Sequence, residues 1–299
     1  MRVAVVGATG SLGREVTRQM LMTGHQVIAI ARTPAKAADL EAIGAEVRHA
    51  DLAEPASLGP AIRDAHAVVA AAHALLGRGR NASAVVDDAG HRALIDAAKS
   101  ERVGQFVYTS VIGVSAAHPI GFWRRKYETE RYLEASGLRY TILRPTAFME
   151  THAHELIGKA ILDGKPAVIF GRGEQPANFV AARDVAAVAV MALSRPTSTN
   201  EVIEIGGPAN LSRHEVAALY ARLSGRSPKL RHVSLGTLRI MSALLGPFHP
   251  GISEVMRASI VFDTTDQTFD PAQMLRRYPI QLTHLDDFVR DRITETTPR

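Results

Sequence analysis

An apolar stretch, Val3–Val6, runs without interruption into Gly7-Ala8-Thr9-Gly10-Ser11-Leu12-Gly13, and Val16, Met20 and Leu21 follow at helical spacing. Strand, glycine turn and amphipathic helix in that order constrain the fold more than any other feature of the chain. Residues without a β-carbon let the backbone turn tightly and approach phosphate oxygens. The unpaired N–H groups at the helix start turn partial positive charge towards the same oxygens. This is the arrangement a dinucleotide pyrophosphate needs, with Gly7, Thr9, Gly10, Ser11, Leu12 and Gly13 as the expected contacts and Arg14 beside them. The spacing is G-x-x-G-x-x-G rather than G-x-G-x-x-G. The plain alternative is an ordinary glycine-rich turn, and the placement between a buried strand and a helix weighs against it.

The same alternation continues through the first half. Val27–Ile30, Glu46–His49, Ala67–Ala70, Phe106–Thr109 and Tyr140–Leu143 read as strands, fully buried because they lack polar alternation; helices fit at 13–23, 34–43, 55–64, 85–101 and 122–136. Repeated βαβ units with right-handed crossovers imply an α/β fold, a doubly wound, Rossmann-type parallel sheet. After Pro145 the rhythm changes. A helix is expected over His154–Asp163, another near Arg183, a strand at Glu201–Ile205 and a helix capped by Ser212 and Glu215. The tail from 226 reads as short segments with a closing helix near 284–294, too irregular for an independent core. The expected division is a dinucleotide-binding core of 1–150 and 178–206 and a smaller substrate-binding part of 151–177 and 207–299, covering the carboxyl ends of the strands.

Composition narrows the class. Hydrophobic residues make up 46% and charged residues 22% of 299, as in a globular enzyme. No apolar run is long enough to span a membrane, and with Val3 already in the first strand no targeting leader is expected. The chain contains no cysteine, which excludes disulfides and thiolate chemistry and suits a cytoplasmic protein. The net charge of +5 raises nucleic-acid binding as a possibility, but the basic residues are scattered, and the densest run, Arg124-Arg125-Lys126, lies on an expected helix. A small-molecule partner is the expectation, with no nucleic acid, no membrane and no metal-ligand spacing.

At the end of the second strand, NAD-preferring enzymes place an acid to hold the adenosine ribose. Here Arg32 stands there, with Lys36 four residues on. A guanidinium grips a 2′-phosphate in a bidentate, charge-assisted pair, so NADP(H) is the expected cofactor; Arg32 as a solvated loop residue is the alternative.

The glycine spacing, Tyr108-Thr109-Ser110-Val111, the run Ser136-Gly137-Leu138-Arg139-Tyr140-Thr141-Ile142-Leu143-Arg144-Pro145, Asn178-Phe179-Val180 and Arg183-Asp184-Val185-Ala186 together resemble the atypical short-chain dehydrogenase/reductases of the NmrA-like and isoflavone-reductase-like group. The resemblance covers residues 1 to about 206. It implies that Asp51, Leu52, Ala70, Ala71 and Ala72 border the adenine and ribose, and that Pro145 and Thr146 meet the nicotinamide. Ser110 would be a hydrogen-bond donor and Lys126 the ribose anchor. The superfamily's catalytic tyrosine position holds Phe122, one turn before Lys126 and on its face, whereas Tyr127 points elsewhere. The proton donor is therefore open between Lys126, Ser110, a histidine (His118, His152 or His154), water and the substrate itself. Trp123, Phe148 and Met149, with Phe122 and His152, are candidates for the substrate wall, against plain core packing. Two functions follow: an NADPH-dependent reductase of a carbonyl, enone or quinone-like acceptor, or a non-catalytic NADP(H)-sensing regulator.

Overall fold

The structure, a computed structural model, describes residues 1–195 and 200–296; residues 196–199 and 297–299, which fall within the spans assigned above, lie outside the described residues. The chain runs β1 (Arg2–Val6), α1 (Ser11–Met22), β2 (Gln26–Ala31), α2 (Ala38–Ala42), β3 (Glu46–His49), α3 (Leu58–Ile62), β4 (Ala67–Ala70), α4 (His91–Ser100), β5 (Gln105–Thr109), α5 (Gly121–Ala135) and β6 (Tyr140–Pro145). It continues through β7 (Ala147–Phe148), α6 (Lys159–Leu162), β8 (Ala167–Phe170), β9 (Ala177–Val180), α7 (Ala182–Ser194), β10 (Glu201–Ile205), β11 (Asn210–Leu211) and α8 (Arg213–Ser224). The last elements are β12 (Leu230–Val233), α9 (Leu235–Leu245), α10 (Pro250–Thr264), α11 (Ala272–Arg277) and α12 (Leu285–Thr296).

Two compact units emerge, Met1–Arg144 with Val185–Glu204 and Pro145–Asp184 with Ile205–Arg299. The first is built on a seven-stranded sheet of order β10-β6-β5-β4-β1-β2-β3. β3-β2-β1-β4-β5-β6 pair in parallel, the expected doubly wound arrangement, and the strand order reverses between β1 and β4. Ile28, Ile30, Val68, Phe106, Tyr108 and Ile142 pack one face of the sheet against Leu58, Leu94, Ile95 and Leu133.

The expectation of fully buried first-half strands fails at the edge strand β3, and the later-read β10 at the other edge is half-exposed as well. β3 is partly exposed throughout, and β10 alternates buried and exposed residues. An edge strand has a neighbour on one side only, and the charges of Glu46 and Arg48 keep that edge solvated. The expected helix 34–43 is a 3-10 turn followed by the five-residue α2, and 55–64 is likewise a 3-10 turn followed by α3. The expected helix 85–101 is a π-helical turn over Ala84–Gly90 that continues into α4. His154–Asp163 divides in the same way, a π-helical stretch over Met149–Gly158 leading into α6.

The second unit corrects the reading of the tail. α9 and α10 are full helices of 11 and 15 residues rather than short segments. Ser234 caps α9, and Pro250 opens α10 at a position where a missing N–H costs nothing. Nor does this unit lack a core. Met149, Ala153, Ile157 and Ile161 close on Ile169, Phe179, Val216, Tyr220, Phe288 and Val289, all buried. Most of these side chains come from 147–181 and 213–224, so the irregular tail sequence concealed a core built largely elsewhere. Ser212 and Glu215 form the expected reciprocal cap of α8. Among the described residues, no helix is long and apolar enough to cross a membrane.

Gly158 lies directly against the Tyr220 ring, since a β-carbon there would come within 2.1 Å of its Cζ. Tyr220 is fully buried and cannot swing into solvent. Gly158→Ala is therefore expected to destabilise the chain by about 1–3 kcal/mol in chemical denaturation; unchanged stability would show that the ring shifts at no cost.

Candidate functional site

The glycine turn is assembled by contacts that a β-carbon would break. A β-carbon on Gly13 would sit 2.2 Å from the Gly7 carbonyl oxygen, and one on Gly7 would sit 2.8–2.9 Å from Ala72. Gly7 also has φ of +85°, in the left-handed region. The N–H groups of Gly7 and Ala8 both donate to the Ile30 carbonyl, which fixes the turn to β2. The first intrahelical bond of α1 runs from Arg14 N to Gly10 O, and no side chain caps Gly10. Ser11, Leu12 and Gly13 thus open the helix with N–H groups that are unpaired among the described residues, a site matched to phosphate oxygens. Gly10 and Ser11 are exposed, Gly7 and Thr9 half-buried, and Leu12 and Gly13 buried. Arg14 braces the turn, donating to the carbonyls of Thr9 and Lys36 and pairing with Asp39.

Around this turn lie the other residues expected at the adenosine end. Arg32 and Lys36 are exposed. Arg32 Nη1 donates to Asn81 Oδ1 at 2.8 Å, and among the described residues no carboxylate pairs with it. Asp51 is buried; it accepts from Ala53 N and meets Arg80 at 3.3 Å, so its carboxylate holds a turn and an ion pair. Leu52 and Ala70 are buried, while Ala71 and Ala72 are half-buried, with Ala71 N bonded to Val6 O.

At the other end, α5 presents Phe122 and Lys126 together. The Lys126 ammonium lies 5.6 Å from the Phe122 ring centroid and 4.9 Å from that of Tyr108, both in cation–π range. It donates to the Thr109 carbonyl at 3.0 Å and stands 3.5 Å from Asp87 Oδ1. Burial pulls the Lys126 pKa below the ordinary lysine value, and the Asp87 carboxylate opposes that pull. Asp87, which sequence reasoning missed, is fully buried and also accepts from Ala74 N at 3.1 Å. It comes from the π-helical turn before α4, and nothing local in Val85-Val86-Asp87-Asp88 marks it as the partner of a lysine 39 residues on. His73, also missed, meets Phe122 edge-on at 6.4 Å. Ser110 is buried beside β6, its N–H bonded to Leu143 O; among the described residues its hydroxyl has no partner, and neither does that of Thr109. A buried, unanswered hydroxyl calls for a ligand or water.

Tyr127 lies off this face, half-buried under the Arg131 guanidinium. Trp123 is buried, donates to Ile112 O at 3.1 Å and stacks on His118, so it ties down the loop before α5. His118 Nδ1 accepts from Ile120 N, and burial lowers its pKa. The remaining candidates belong to the second unit. Pro145 and Thr146 are buried, and Thr146 donates its hydroxyl to Asn178. Phe148 is half-buried, Met149 lies in that unit's core, and His152 stacks on Phe262 at 5.6 Å. His154 bonds the Tyr220 hydroxyl, and burial lowers its pKa.

Comparison with known proteins accords with this geometry. The sequence family described as NAD(P)H-binding matches residues 7–196. The photosystem II assembly factor Ycf39 of Synechocystis is 31% identical over 247 residues, 81% of this chain and 73% of that protein. The NAD(P)H azoreductase of Xenophilus azovorans is 32% identical over 245 residues, 82% of this chain and 80% of that one. The crystal structure of the Escherichia coli NADPH-dependent quinone oxidoreductase QOR2 with NADPH superposes with a TM-score of 0.76 at 25% identity, covering 97% of this chain and 99% of that one.

Behind Lys126, His91 is wholly buried against Tyr108, and its Nδ1 donates to Val86 O at 2.7 Å. Burial, reinforced by the Lys126 charge, lowers its pKa to about 4. The unfolded chain therefore takes up a proton near pH 6.5 that the folded chain refuses until about pH 4, so stability falls as pH drops through that window. The loss amounts to about 3 kcal/mol. His91→Gln is expected to lack this acid sensitivity, so its stability gap to the wild type narrows between pH 7 and 4 in urea titrations; parallel curves would refute the assignment.

Proposed function

Since the chain belongs to the NAD(P)H-binding family, in the atypical short-chain dehydrogenase/reductase (NmrA-like) group, we propose that it is an NADPH-dependent reductase of quinone-like acceptors. Phe122 carries this reading. Hydride addition to a simple ketone leaves an alkoxide, a strong base that needs an acid at once, and phenylalanine has no proton to give. Addition to a quinone leaves a phenolate-type anion, a far weaker base that an ammonium or water protonates readily. When bound, the dihydronicotinamide supplies the hydride. The balance is NADPH plus quinone plus one proton, giving NADP⁺ and hydroquinone.

The residues divide the work. The N–H groups of Ser11, Leu12 and Gly13 hold the pyrophosphate, and Arg32, aided by Lys36, the 2′-phosphate. Asp51, Leu52 and Ala70–Ala72 flank the adenosine. Two protons of the Lys126 ammonium face Thr109 O and Asp87, which leaves the third for a ribose hydroxyl or the acceptor oxygen. The unanswered Ser110 hydroxyl supports a donor role towards the acceptor. Azoreductase and quinone oxidoreductase relatives support this substrate class. The internal pairing of Lys126 with Asp87 and the similarity to assembly factors favour a second reading, an NADP(H)-responsive binding protein without turnover. NADPH oxidation with naphthoquinone separates the two: nucleotide binding without oxidation of any quinone or azo acceptor would leave only the second.

Titration calorimetry is expected to give NADPH an affinity at least tenfold above that of NADH, and Arg32→Ala to erase most of that preference; equal affinities in the wild type would remove Arg32 from the site. Phe122→Tyr is expected to raise ketone reduction at least fivefold while altering naphthoquinone turnover less than threefold. Lys126→Met is expected to lower kcat at least tenfold, beyond any loss of NADPH affinity. An active Lys126→Met variant would place proton delivery elsewhere.

A further inference from the structure

In the second unit, Arg213 on α8 is mostly buried, with its side chain 18% exposed, and it is poorly compensated. Its Nη1 is 3.9 Å from Asp263 Oδ1, beyond hydrogen-bond distance, and among the described residues it has no hydrogen-bond acceptor. Asp263 is already answered by closer donors: Arg172 N at 3.0 Å, Gly173 N at 2.9 Å and Arg172 Nε at 3.3 Å. Two guanidinium groups thus share one carboxylate, and the local balance is positive. Desolvation weighs on the Arg213 cation, with the Asp263 charge alone opposing it. A guanidinium with five directed donors, held half out of water without an acceptor, is matched to a planar or tetrahedral oxyanion.

The wall beside it is aromatic. The Arg213 guanidinium lies 6.0 Å from the Phe262 ring centroid, and His152 stacks on Phe262 at 5.6 Å with an interplanar angle of 18°. Arg213, Phe262 and His152 are each partly exposed, so the edge of this stack is open to a ligand. A flat ring with an acidic substituent meets both features, its ring against Phe262 and His152 and its anion on Arg213.

We infer that Arg213, Phe262 and His152 form a recognition site for an aromatic ligand bearing a sulfonate or carboxylate. The site lies wholly within the second unit and stands independently of the reductase reading above. Calorimetric titration of the full chain with naphthalene sulfonate and with neutral naphthalenemethanol is expected to show at least tenfold tighter binding of the anion. Arg213→Gln is expected to remove that preference and Arg213→Lys to retain part of it; Asp263 keeps its three closer donors in both variants. The titration needs no turnover, so it decides this site whether or not the chain reduces quinones. Equal binding of the two naphthalenes by the wild type, or an unchanged anion preference in Arg213→Gln, would overturn the inference.

Discussion

The first unit depends on the tight approach of α1 to the end of β1, where the space over Gly13 ends 2.2 Å from where a β-carbon would be, at the Gly7 carbonyl. That approach brings the start of α1 down onto the turn and leaves the N–H groups of Ser11, Leu12 and Gly13 together and, among the described residues, unpaired. The same compression operates on the other side, where Gly7 touches Ala72 after β4. The turn therefore lies where the strand order reverses, between β1 and β4, the place where open α/β sheets bind their ligands. Arg14 then locks the turn to the segment after β2 by reaching Thr9, Lys36 and Asp39. Unpaired donors and tight packing are one feature here, because the glycines that permit the packing also keep side chains away from the donors.

A second constraint is the burial of Lys126. An ammonium without water is costly unless it is paired and hydrogen-bonded, and Asp87 and the Thr109 carbonyl supply both. Asp87 in turn holds Ala74 N, so the lysine, the π-helical turn before α4 and the loop after β4 are fixed to one another. The arrangement explains why Phe122 is tolerated: the ring covers the ammonium and needs no polar partner, where a phenol in that place would need one. The reading of the site as one for acceptors whose reduced oxygen is weakly basic, proposed above, rests on this held cation and the absent phenol.

In the second unit the polar organisation runs through buried Asn178, Asp184 and Asp263. Asn178 ties Thr146, Gly207, Ala209 and Asn210 into one junction. Asp184 is answered by both the N–H and the hydroxyl of Thr283, and its pKa is raised by burial despite them. Asp263 gathers the 171–173 turn, and its saturation there leaves Arg213 underpaired. The Arg213 candidate of this unit arises from that imbalance of charge, not from any motif.

The sequence by itself determined the order of strands and helices in the first unit, the glycine turn, Arg32 at the end of β2, and the shared face of Phe122 and Lys126. Each of these depends on neighbours within a few residues: period, turn chemistry, or i to i+4 spacing. The Ser212–Glu215 cap was legible for the same reason. Ser234 and Pro250 carried equally local signals for α9 and α10, which a reading of the tail as short segments passed over. Tertiary structure alone decided that Asp87 is the partner of Lys126, that Asp51 is occupied by Arg80, that Trp123 ties down a loop, and that Arg213 stands over Phe262. Those pairings join residues 29 to 49 or, for Trp123, 11 positions apart, and burial chose them; buried charge and unsatisfied donors are properties of a packed interior, and no local pattern in the chain records them.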